Sequence, residues 1–385
     1  MLDVAVVIVS WNVRDYLAEC LSTVYAELRY SRLNGEIWVV DNGSTDGTLA
    51  LLGSLFPHTR LRANDTNIGF GAANNQGMAD AAAESPRYFL LLNPDTLIRP
   101  GGISQMVDCL DRCPEAGMVG ARLVYRDGRF QHSAFTFPGI TQLLFDLWPM
   151  PSALYDSRLN GRYARRLYRP DGDPFAVDFP LGAAMLVRRD VAEATGGFDE
   201  SFHMYCEEID WAWRIRNAGW GIYTVPGAEI VHYGGESTKQ VPARSIVNLW
   251  QSRARLYRKH HTPARFALAR RLATRGLARK AAAAPNRELR EAYRRAAGFW
   301  QTVVAAEEGE EGVSQANPRA NGQPPADVLI DAVSQTVAAV GAADAPAANA
   351  PATDEAAPND PTAKKAAVSP AAEPAASPAG KAGAD

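Results

Sequence analysis

Apolar runs alternate with amphipathic segments along the first 125 residues. Residues 4–10 (VAVVIVS) form an unbroken, mostly β-branched run, which is typical of a strand buried on both faces. In the segment that follows, apolar side chains recur at i, i+3 and i+4, which predicts a helix. The same patterns predict strands at 36–41, 88–95 and 117–125 and helices at 46–56, 71–83 and 102–112. This alternation predicts an α/β fold with a mostly parallel central sheet.

The second half of the chain is less regular. Residues 126–180 are predicted to form a hairpin and loops at the edge of the sheet, and strands are predicted again at 182–189 and 221–226. Between these strands, residues 203–220 (HMYCEEIDWAWRIRNAGW) contain a helical pattern. The segment 230–238 (IVHYGGEST) ends in glycines that allow a backbone to approach a ligand closely.

Three polar clusters follow predicted strands, at 10–12 (SWN), 41–47 (DNGSTDG) and 93–95 (NPD). In parallel sheets, ligands bind outside the carboxyl ends of the strands, so these clusters mark a candidate binding edge. Asp41 ends its strand, where a carboxylate can accept hydrogen bonds from a nucleotide base or ribose. Asp46 is better explained as the N-cap of the following helix.

Two further features favour phosphate and cation binding. Residues 67–77 (NIGFGAANNQG) place glycines before a helix whose N-terminal N–H groups can bind an anion, although they match neither common phosphate-loop motif. Asp95 is either a turn residue or, with a nearby partner such as His232, a ligand of a hard cation whose other positions are filled by substrate phosphates. A histidine such as His232 can also be purely structural.

The helix predicted within 203–220 begins with three carboxylates, Glu207, Glu208 and Asp210. Acidic residues in a first helical turn can be purely structural because the helix dipole stabilises them, and Asp210 can pair with Arg214 at i+4. Adjacent residues of a helix project about 100° apart, so Glu207 shares the side of Asp210 while Glu208 projects elsewhere. One of the two glutamates can therefore face a cleft.

Composition separates the end of the chain from the rest. The 385 residues are 46% hydrophobic with a formal net charge of −3, which allows a large core in one large domain or two smaller ones. From about residue 308 onward, the chain consists mainly of Ala, Pro, Gly and acidic residues. Such a segment buries too little apolar surface to offset its chain entropy, so we expect 308–385 to be a disordered tail.

A basic segment precedes this tail. Fifteen Lys and Arg residues lie between Arg244 and Arg295, against two acidic residues. The segment is either a solvated helical face or an amphipathic surface that binds an anionic membrane, with Trp250 and Tyr257 at the interface. Because no recognised nucleic-acid-binding motif accompanies the charge, we expect no nucleic-acid partner.

The cysteines and the N-terminal segment indicate the compartment. Residues 1–11 contain no basic leader and only a short apolar run, so they resemble neither a signal peptide nor a membrane span. Four cysteines are too few for a disulfide framework, and Cys109 and Cys113 have no second pair for zinc. We therefore expect a cytoplasmic protein, peripherally associated with the inner face of the cell membrane through its basic segment.

Taken in order, six segments resemble glycosyltransferase family 2, whose members are inverting enzymes with the GT-A fold. They are VIVSWN, VVDNGSTDGT, NIGFGAANNQG, LLLNPDT, GGFDESFHMYCEEIDWAWRIRNAGW and VHYGGEST, and the resemblance covers roughly residues 3–260. The resemblance is strongest to the rhamnosyltransferase-like branch. It implies a GT-A glycosyltransferase domain at 1–242, a basic helical extension at 243–307 and the tail at 308–385.

The resemblance also implies roles for individual residues. Glu207 and Glu208 match the family's Glu-Asp pair, whose second member is the catalytic base, and this chain departs from the pattern by having Glu in place of Asp. Asp95 and His232 match positions that reach a divalent metal, Mg²⁺ or Mn²⁺, on the diphosphate. The implied nucleotide-sugar and acceptor contacts are Asn12, Asp41, Gly69, Asn75 and Asp95 for the donor and Asp210 and Trp211 for the acceptor.

The implied function is inverting transfer of a sugar, with rhamnose from dTDP-rhamnose as the first expectation, to a cell-surface polysaccharide or polyprenyl-linked glycan. The Gln-x-x-Arg-Trp motif of processive members is absent, since residues 248–255 (NLWQSRAR) contain Gln251 without the rest. Two alternatives are a sugar nucleotidyltransferase, which needs an early glycine-rich stretch with Arg and Lys, and a non-catalytic carbohydrate-binding scaffold with the same fold.

Overall fold

The computed structural model describes residues 2–234 and 241–302. The predicted tail at 308–385 and the end of the 230–238 motif lie outside the described residues. The strands are β1 (Val4–Ser10), β2 (Gly35–Asp41), β3 (Arg60–Ala63), β4 (Tyr88–Leu92), β5 (Thr96–Ile98), β6 (Ala116–Val124), β7 (Phe130–Gln131), β8 (Ala134–Phe135), β9 (Phe175–Ala176), β10 (Phe179–Pro180), β11 (Ala184–Arg188) and β12 (Gly221–His232).

Helices pack on both faces of the sheet, and the last three helices follow the last strand. They are α1 (Arg14–Ser31), α2 (Thr48–Leu55), α3 (Phe70–Ala82), α4 (Gly102–Arg112), α5 (Ile140–Leu147), α6 (Ser152–Tyr155), α7 (Arg189–Thr195), α8 (Glu207–Asn217), α9 (Pro242–His260), α10 (Pro263–Ala283) and α11 (Arg287–Thr302).

The main sheet has the strand order β3-β2-β1-β4-β11-β6-β12-β5. β1 pairs in parallel with β2 and β4, β3 extends this parallel set, and β12 is parallel to β6. β11 is antiparallel between β4 and β6, and β5 is antiparallel on β12. The sheet is therefore mostly parallel, as the sequence predicts, and β1, β2, β4 and β12 end at the same edge.

The alternation of side chains along β1 shows how the core is built. Ala5 and Val7 join one apolar cluster, whereas Val4, Val6 and Ile8 join another on the opposite face of the sheet. Burial on both faces explains the unbroken apolar run in the sequence.

Several boundaries and one region differ from the sequence prediction. The strand predicted at 88–95 ends at Leu92, because the Asn93 backbone N–H turns to donate to the Ala183 carbonyl at 2.9 Å. The strand predicted at 221–226 continues to His232 through an irregularity between Val225 and Glu229. Within the region predicted to be loops, Ile140–Leu147 forms α5.

The basic segment forms α9, α10 and α11, which pack against α5 around a third apolar cluster. Trp250 and Tyr257 lie inside this cluster and are only 2% and 1% exposed, so their predicted position at a membrane interface is wrong. Buried Arg253 pairs with Asp146 of α5 at 2.5 Å. None of the described helices is long and apolar enough to cross a membrane.

Candidate active site

Asp41 ends β2 at the edge where the predicted site lies. Its side chain is buried, and Oδ2 accepts a hydrogen bond from the Ser44 backbone N–H at 2.8 Å. Oδ1 is buried without a hydrogen-bond partner among the described residues, as is Oγ of Ser10, which is paired with Asp41 in the strand register. Unsatisfied buried polar atoms are rare in proteins, so this pair indicates a place where a ligand completes the hydrogen bonds.

Asn12 holds the loop that follows Asp41. It has a positive φ of 52°, its backbone N–H donates to Ser44 Oγ at 2.9 Å, and its Oδ1 accepts from the Thr45 backbone N–H at 2.8 Å. The described contacts of Asn12 therefore hold the loop that follows Asp41, while its predicted contact with the donor stays a prediction.

Gly69 and Asn75 belong to the glycine-containing segment at the start of α3. Gly69 has a φ of +100°, and a Cβ there would lie 2.5 Å from the His203 carbonyl oxygen, so glycine is required by both conformation and space. The Asn75 side-chain amide donates to the Phe198 carbonyl and to Glu200 Oε1, and its Oδ1 accepts from the Phe198 backbone N–H. Asn75 thus anchors the loop before α8, and its role in donor binding stays a prediction.

Asp95 and His232 meet at the same edge, as the sequence predicts. Asp95 Oδ1 lies 3.5 Å from His232 Nε2, and both side chains are 7% exposed. Gln131 Oε1 lies 3.2 Å from Nδ1 of this imidazole, which orients the ring, while Nε2 has no hydrogen-bond partner among the described residues. A carboxylate oxygen and an imidazole nitrogen form a donor set that fits a divalent cation. The described ranges contain no group of three or more His, Cys, Asp and Glu that could hold a metal without a substrate.

Glu207 and Glu208 begin α8 directly after two residues with unusual backbone angles. Tyr205 and Cys206 have φ values of 70° and 67°, in the left-handed region that non-glycine residues rarely adopt. Burial raises the pKa of Glu207 well above its usual range, with a smaller contribution from the charge of Glu208. Burial also raises the pKa of Glu208 to about 7. Strained backbone and raised carboxyl pKa values are both typical of functional sites.

Glu207 and Glu208 border two different parts of the predicted site. Glu207 lies against α3, since a Cβ on Gly71 would be 3.7 Å from the Glu207 Cβ. Glu208 lies against the loop before β11, since a Cβ on Gly182 would be 3.6 Å from the Glu208 Cβ. The next residue of that loop, Ala183, accepts the hydrogen bond from Asn93, two positions before Asp95. The carboxylate pair therefore borders both the glycine segment and the Asp95 turn.

Asp210 and Trp211, predicted to contact the acceptor, are both 0% exposed. The Trp211 indole N–H donates to Thr195 Oγ1 at 2.8 Å, within the main apolar cluster. Asp210 lies 2.9 Å from Arg214, 2.8 Å from Lys259 and 2.7 Å from His260. We therefore revise the acceptor assignment, because neither side chain reaches a surface on which an acceptor can lie.

A pocket of about 40 Å³ opens between the glycine segment and the start of α9. Its lining is formed by Trp11, Asn67, Gly69, Phe70, His203, Met204, Val241, Arg244, Ser245 and Asn248. Arg244 Nη2 lies 3.4 Å from His203 Nε2, so the pocket carries cationic and imidazole groups beside the predicted donor site. The sequence analysis missed Arg244, Asn248 and Gln131 as site residues. Trp11 lies in a quoted polar cluster, but the other three have no local signal.

The edge combines groups with three chemical capacities. A glutamate with a raised pKa can take a proton near neutral pH, an Asp–His pair can bind a cation, and the unpaired oxygen of Asp41 can accept hydrogen bonds from a ligand. These capacities match a group transfer from an anionic donor.

The sequence is similar to a family model and to proteins of known name. Residues 5–193 match the family model described as Glycosyl transferase family 2. The chain is 31% identical over 223 residues to the N-acetylglucosaminyl-diphospho-decaprenol L-rhamnosyltransferase of Mycobacterium tuberculosis, covering 54% of this chain and 70% of that protein. It is 25% identical over 244 residues to the O-antigen biosynthesis protein RfbC of Myxococcus xanthus, covering 62% of this chain and 18% of that protein.

A solved structure shares the fold at low identity. The crystal structure of GalNAc-T7 with UDP, GalNAc and Mn²⁺ matches with a TM-score of 0.50 and 14% identity, covering 80% of this chain and 57% of that chain. A likeness at this identity concerns the fold alone. Together with the observed α/β architecture, it confirms the expected GT-A fold.

Proposed function

The chain belongs to glycosyltransferase family 2, and we propose that it transfers a sugar with inversion from a nucleoside-diphosphate sugar to a glycan or polyprenyl-linked acceptor. The observation that carries the proposal is the position of buried Glu207 and half-buried Glu208 between the glycine segment and the turn that contains Asp95. A carbohydrate-binding scaffold has no need for carboxylates with raised pKa values at this place, because removing adjacent acids from water is unfavourable.

Glu208 is the proposed base. In an inverting transfer, the acceptor hydroxyl attacks the anomeric carbon from the face opposite the nucleoside diphosphate, and its proton passes to a carboxylate oxygen of Glu208. The C–O bond to the diphosphate breaks, and the nucleoside diphosphate leaves with the bonding electron pair. General-base catalysis of this kind typically contributes about 10²–10⁴-fold in rate. The longer side chain of Glu relative to the family's Asp keeps the required carboxylate.

Asp95 and His232 are the residues that would hold a divalent cation, Mg²⁺ or Mn²⁺. When bound, such a cation supplies positive charge that stabilises the leaving diphosphate. Support comes from the unpaired Nε2 of His232 beside the Asp95 carboxylate and from the Mn²⁺ in the GalNAc-T7 crystal structure.

The donor is proposed to lie along the edge from Asp41 to Asp95. The unpaired Asp41 Oδ1 and Ser10 Oγ are available for the nucleoside, and Arg244, beside the His203 imidazole, places positive charge near an anionic diphosphate. We propose dTDP-rhamnose as donor, because the Mycobacterium tuberculosis relative is named as an L-rhamnosyltransferase.

The acceptor is proposed to be a diphospho-polyprenol carrying N-acetylglucosamine or a related glycan, from the name of the same relative. Such an acceptor resides in a membrane, so the enzyme is proposed to act peripherally at the cytoplasmic face. Exposed arginines on α10 and α11, including Arg271, Arg275 and Arg294, can bind anionic lipid.

A donor screen tests the proposal. The enzyme is incubated with dTDP-rhamnose, UDP-galactofuranose or UDP-N-acetylglucosamine, with and without an acceptor, in Mn²⁺ and in EDTA, and release of nucleoside diphosphate is measured. Acceptor-dependent release from one donor is expected. Sugar binding without release from any of the three would favour the non-catalytic scaffold. In a parallel incubation with a nucleoside triphosphate and a sugar 1-phosphate, formation of a nucleoside-diphosphate sugar with release of pyrophosphate would favour a nucleotidyltransferase.

A further inference from the structure

One face of α9 contacts the segment that leads into the two glutamates. Ser252 Oγ donates to the Met204 carbonyl at 2.8 Å, the Arg255 guanidinium donates to the Ser201 carbonyl, and Lys259 Nζ donates to Asp199 Oδ2 at 2.6 Å. Positions 252, 255 and 259 recur at i, i+3 and i+7, so they lie along one face of the helix. Three successive points of the 199–204 loop are thus fixed by α9.

Asp210 connects the same helix to the first turn of α8. Its Oδ1 lies 2.7 Å from His260 Nε2 and 2.8 Å from Lys259 Nζ, and its Oδ2 accepts from Arg214 Nε at 2.9 Å. Burial alone would raise the pKa of Asp210, but hydrogen bonds from His260, Lys259 and Arg214 lower it to about 2. Asp210 is therefore an anion held between α8 and the end of α9.

His260 is also held from its ring face. Its imidazole stacks on the Trp213 indole of α8, with ring centroids 4.4 Å apart and an angle of 13° between the planes. The side chain is 6% exposed. One hydrogen bond and one stacking contact therefore fix this side chain to two residues of α8, one turn after the glutamates.

The turn between these two anchored regions has a sparsely populated conformation. Tyr205 and Cys206 are left-handed, and a residue in that region persists only when its surroundings hold it there. The α9 contacts lie on both sides of this turn, at Met204 before it and Asp210 after it. The direction in which Glu208 projects depends on the turn.

We propose that His260 is a positioning residue, which fixes the orientation of the Glu208 carboxylate through Asp210 and makes the basic helix α9 part of the catalytic site. The inference rests on the proposed function, because it assigns Glu208 the role of base. It also explains why residues 243–260 pack within the same apolar cluster as Cys206 and Ile209, through Leu249 and Leu256.

The test compares His260→Ala, His260→Gln and, as a matched control, His58→Ala at an exposed histidine. Donor binding, kcat and KM are measured together with hydrogen exchange of the amides of residues 204–210. His260→Ala is expected to lower kcat about tenfold or more, since small displacements of catalytic groups reduce rates strongly, with the donor Kd unchanged. Hydrogen exchange of the 204–210 amides should be faster in His260→Ala. In His260→Gln, the side-chain amide can still donate to Asp210, so kcat and the exchange rates should return most of the way to wild type.

Two results would overturn the proposal. An unchanged kcat in His260→Ala would show that Glu208 is positioned without this contact. Equal losses in kcat and donor affinity, with faster exchange across the whole chain and no rescue by Gln, would reduce His260 to a general packing role. If the wild-type enzyme shows no transfer to any acceptor, the proposed function fails, while hydrogen exchange still reports whether His260 holds the 204–210 turn.

Discussion

His232 Nε2 lies 3.5 Å from Asp95 Oδ1, although the two residues are far apart in the sequence. His232, at the end of β12, is paired with Thr96 of β5, and Asp95 directly precedes Thr96. Both residues therefore lie at the same edge of the sheet. Both side chains are buried, and Nε2 lacks a hydrogen-bond partner among the described residues. A buried imidazole nitrogen that faces a carboxylate without a bond to it is placed to ligate a cation.

Metal dependence is the first prediction. His232→Ala is expected to weaken Mn²⁺-dependent donor binding by about tenfold or more, because it removes one of the two proposed protein ligands. His58→Ala, at an exposed histidine, serves as the control and should bind like wild type. Donor affinity is measured by calorimetry with Mn²⁺ and after EDTA treatment. Equal affinity in EDTA for wild type would exclude the metal role of this pair.

The raised pKa of Glu208 predicts the pH dependence of transfer. A base acts only when deprotonated, and burial raises the pKa of this carboxyl to about 7. The rate constant kcat should therefore rise with pH through about 7 and level off above it. Initial rates from pH 5.5 to 9 measure the profile. A rate that is already maximal at pH 5.5 would mean that the base has an ordinary carboxyl pKa.

The raised pKa of Glu207 predicts that this carboxyl lowers the stability of the folded protein at higher pH. Burial and the Glu208 charge raise the pKa of Glu207, so the folded state keeps this proton to a higher pH than the unfolded state does. Stability contributed by this group is thus lost as pH rises above the unfolded pKa. Glu207→Gln removes the ionisation and should raise Tm at pH 8, with a gain of about 1.4 kcal/mol per pKa unit of the shift.

The control for this prediction is the pH itself. At pH 4, Glu207 is largely protonated in both states, so wild type and Glu207→Gln should unfold at similar temperatures. Thermal melts followed by circular dichroism at pH 4 and pH 8 give the comparison. A variant that is less stable at both values would indicate that the Glu207 carboxylate is paired in the folded protein.

Much of the site could be predicted from residue patterns because the parallel sheet imposes it. Apolar runs locate the strands, and their carboxyl ends then bring Asp41 and Asp95 to one edge whatever the loops do. His232 stands out in the sequence as one of six histidines, beside glycines. Its place opposite Thr96 is not predicted, because the strand is predicted to end at 226 and instead continues to His232. Gln131 and Arg244 could not be predicted, because each reaches the site through a contact between segments far apart in the sequence.

The basic helices show a different limit. The pattern of Trp250, Tyr257 and intervening arginines is that of an amphipathic helix, and such a pattern is the same whether the apolar face meets lipid or protein. In the folded chain this face meets α5, α10 and α11, and even Arg253 is buried against Asp146. The pattern therefore predicts the helix correctly, but it does not predict that the apolar face of the helix packs against protein.

The proposed membrane binding therefore rests on the exposed arginines. Arg271→Gln with Arg275→Gln should reduce binding to anionic liposomes, since each arginine near the surface contributes about 1 kcal/mol, and high salt should reduce it further. Arg29→Gln with Arg129→Gln removes the same charge from other exposed positions and is the control. Co-sedimentation measures the bound fraction. Equal binding to neutral liposomes, or equal loss in both variants, would argue against a lipid-binding face on α10.

The most direct test of the account compares wild type, Glu208→Gln, Glu208→Asp and the exposed control Glu193→Gln in acceptor-dependent release of dTDP from dTDP-rhamnose. Glu208→Gln should lower kcat by about 10²-fold or more with the donor Kd unchanged. Glu208→Asp keeps a carboxylate and should retain measurable transfer, and Glu193→Gln should match wild type. Near-normal turnover by Glu208→Gln would contradict the assignment of Glu208 as the base.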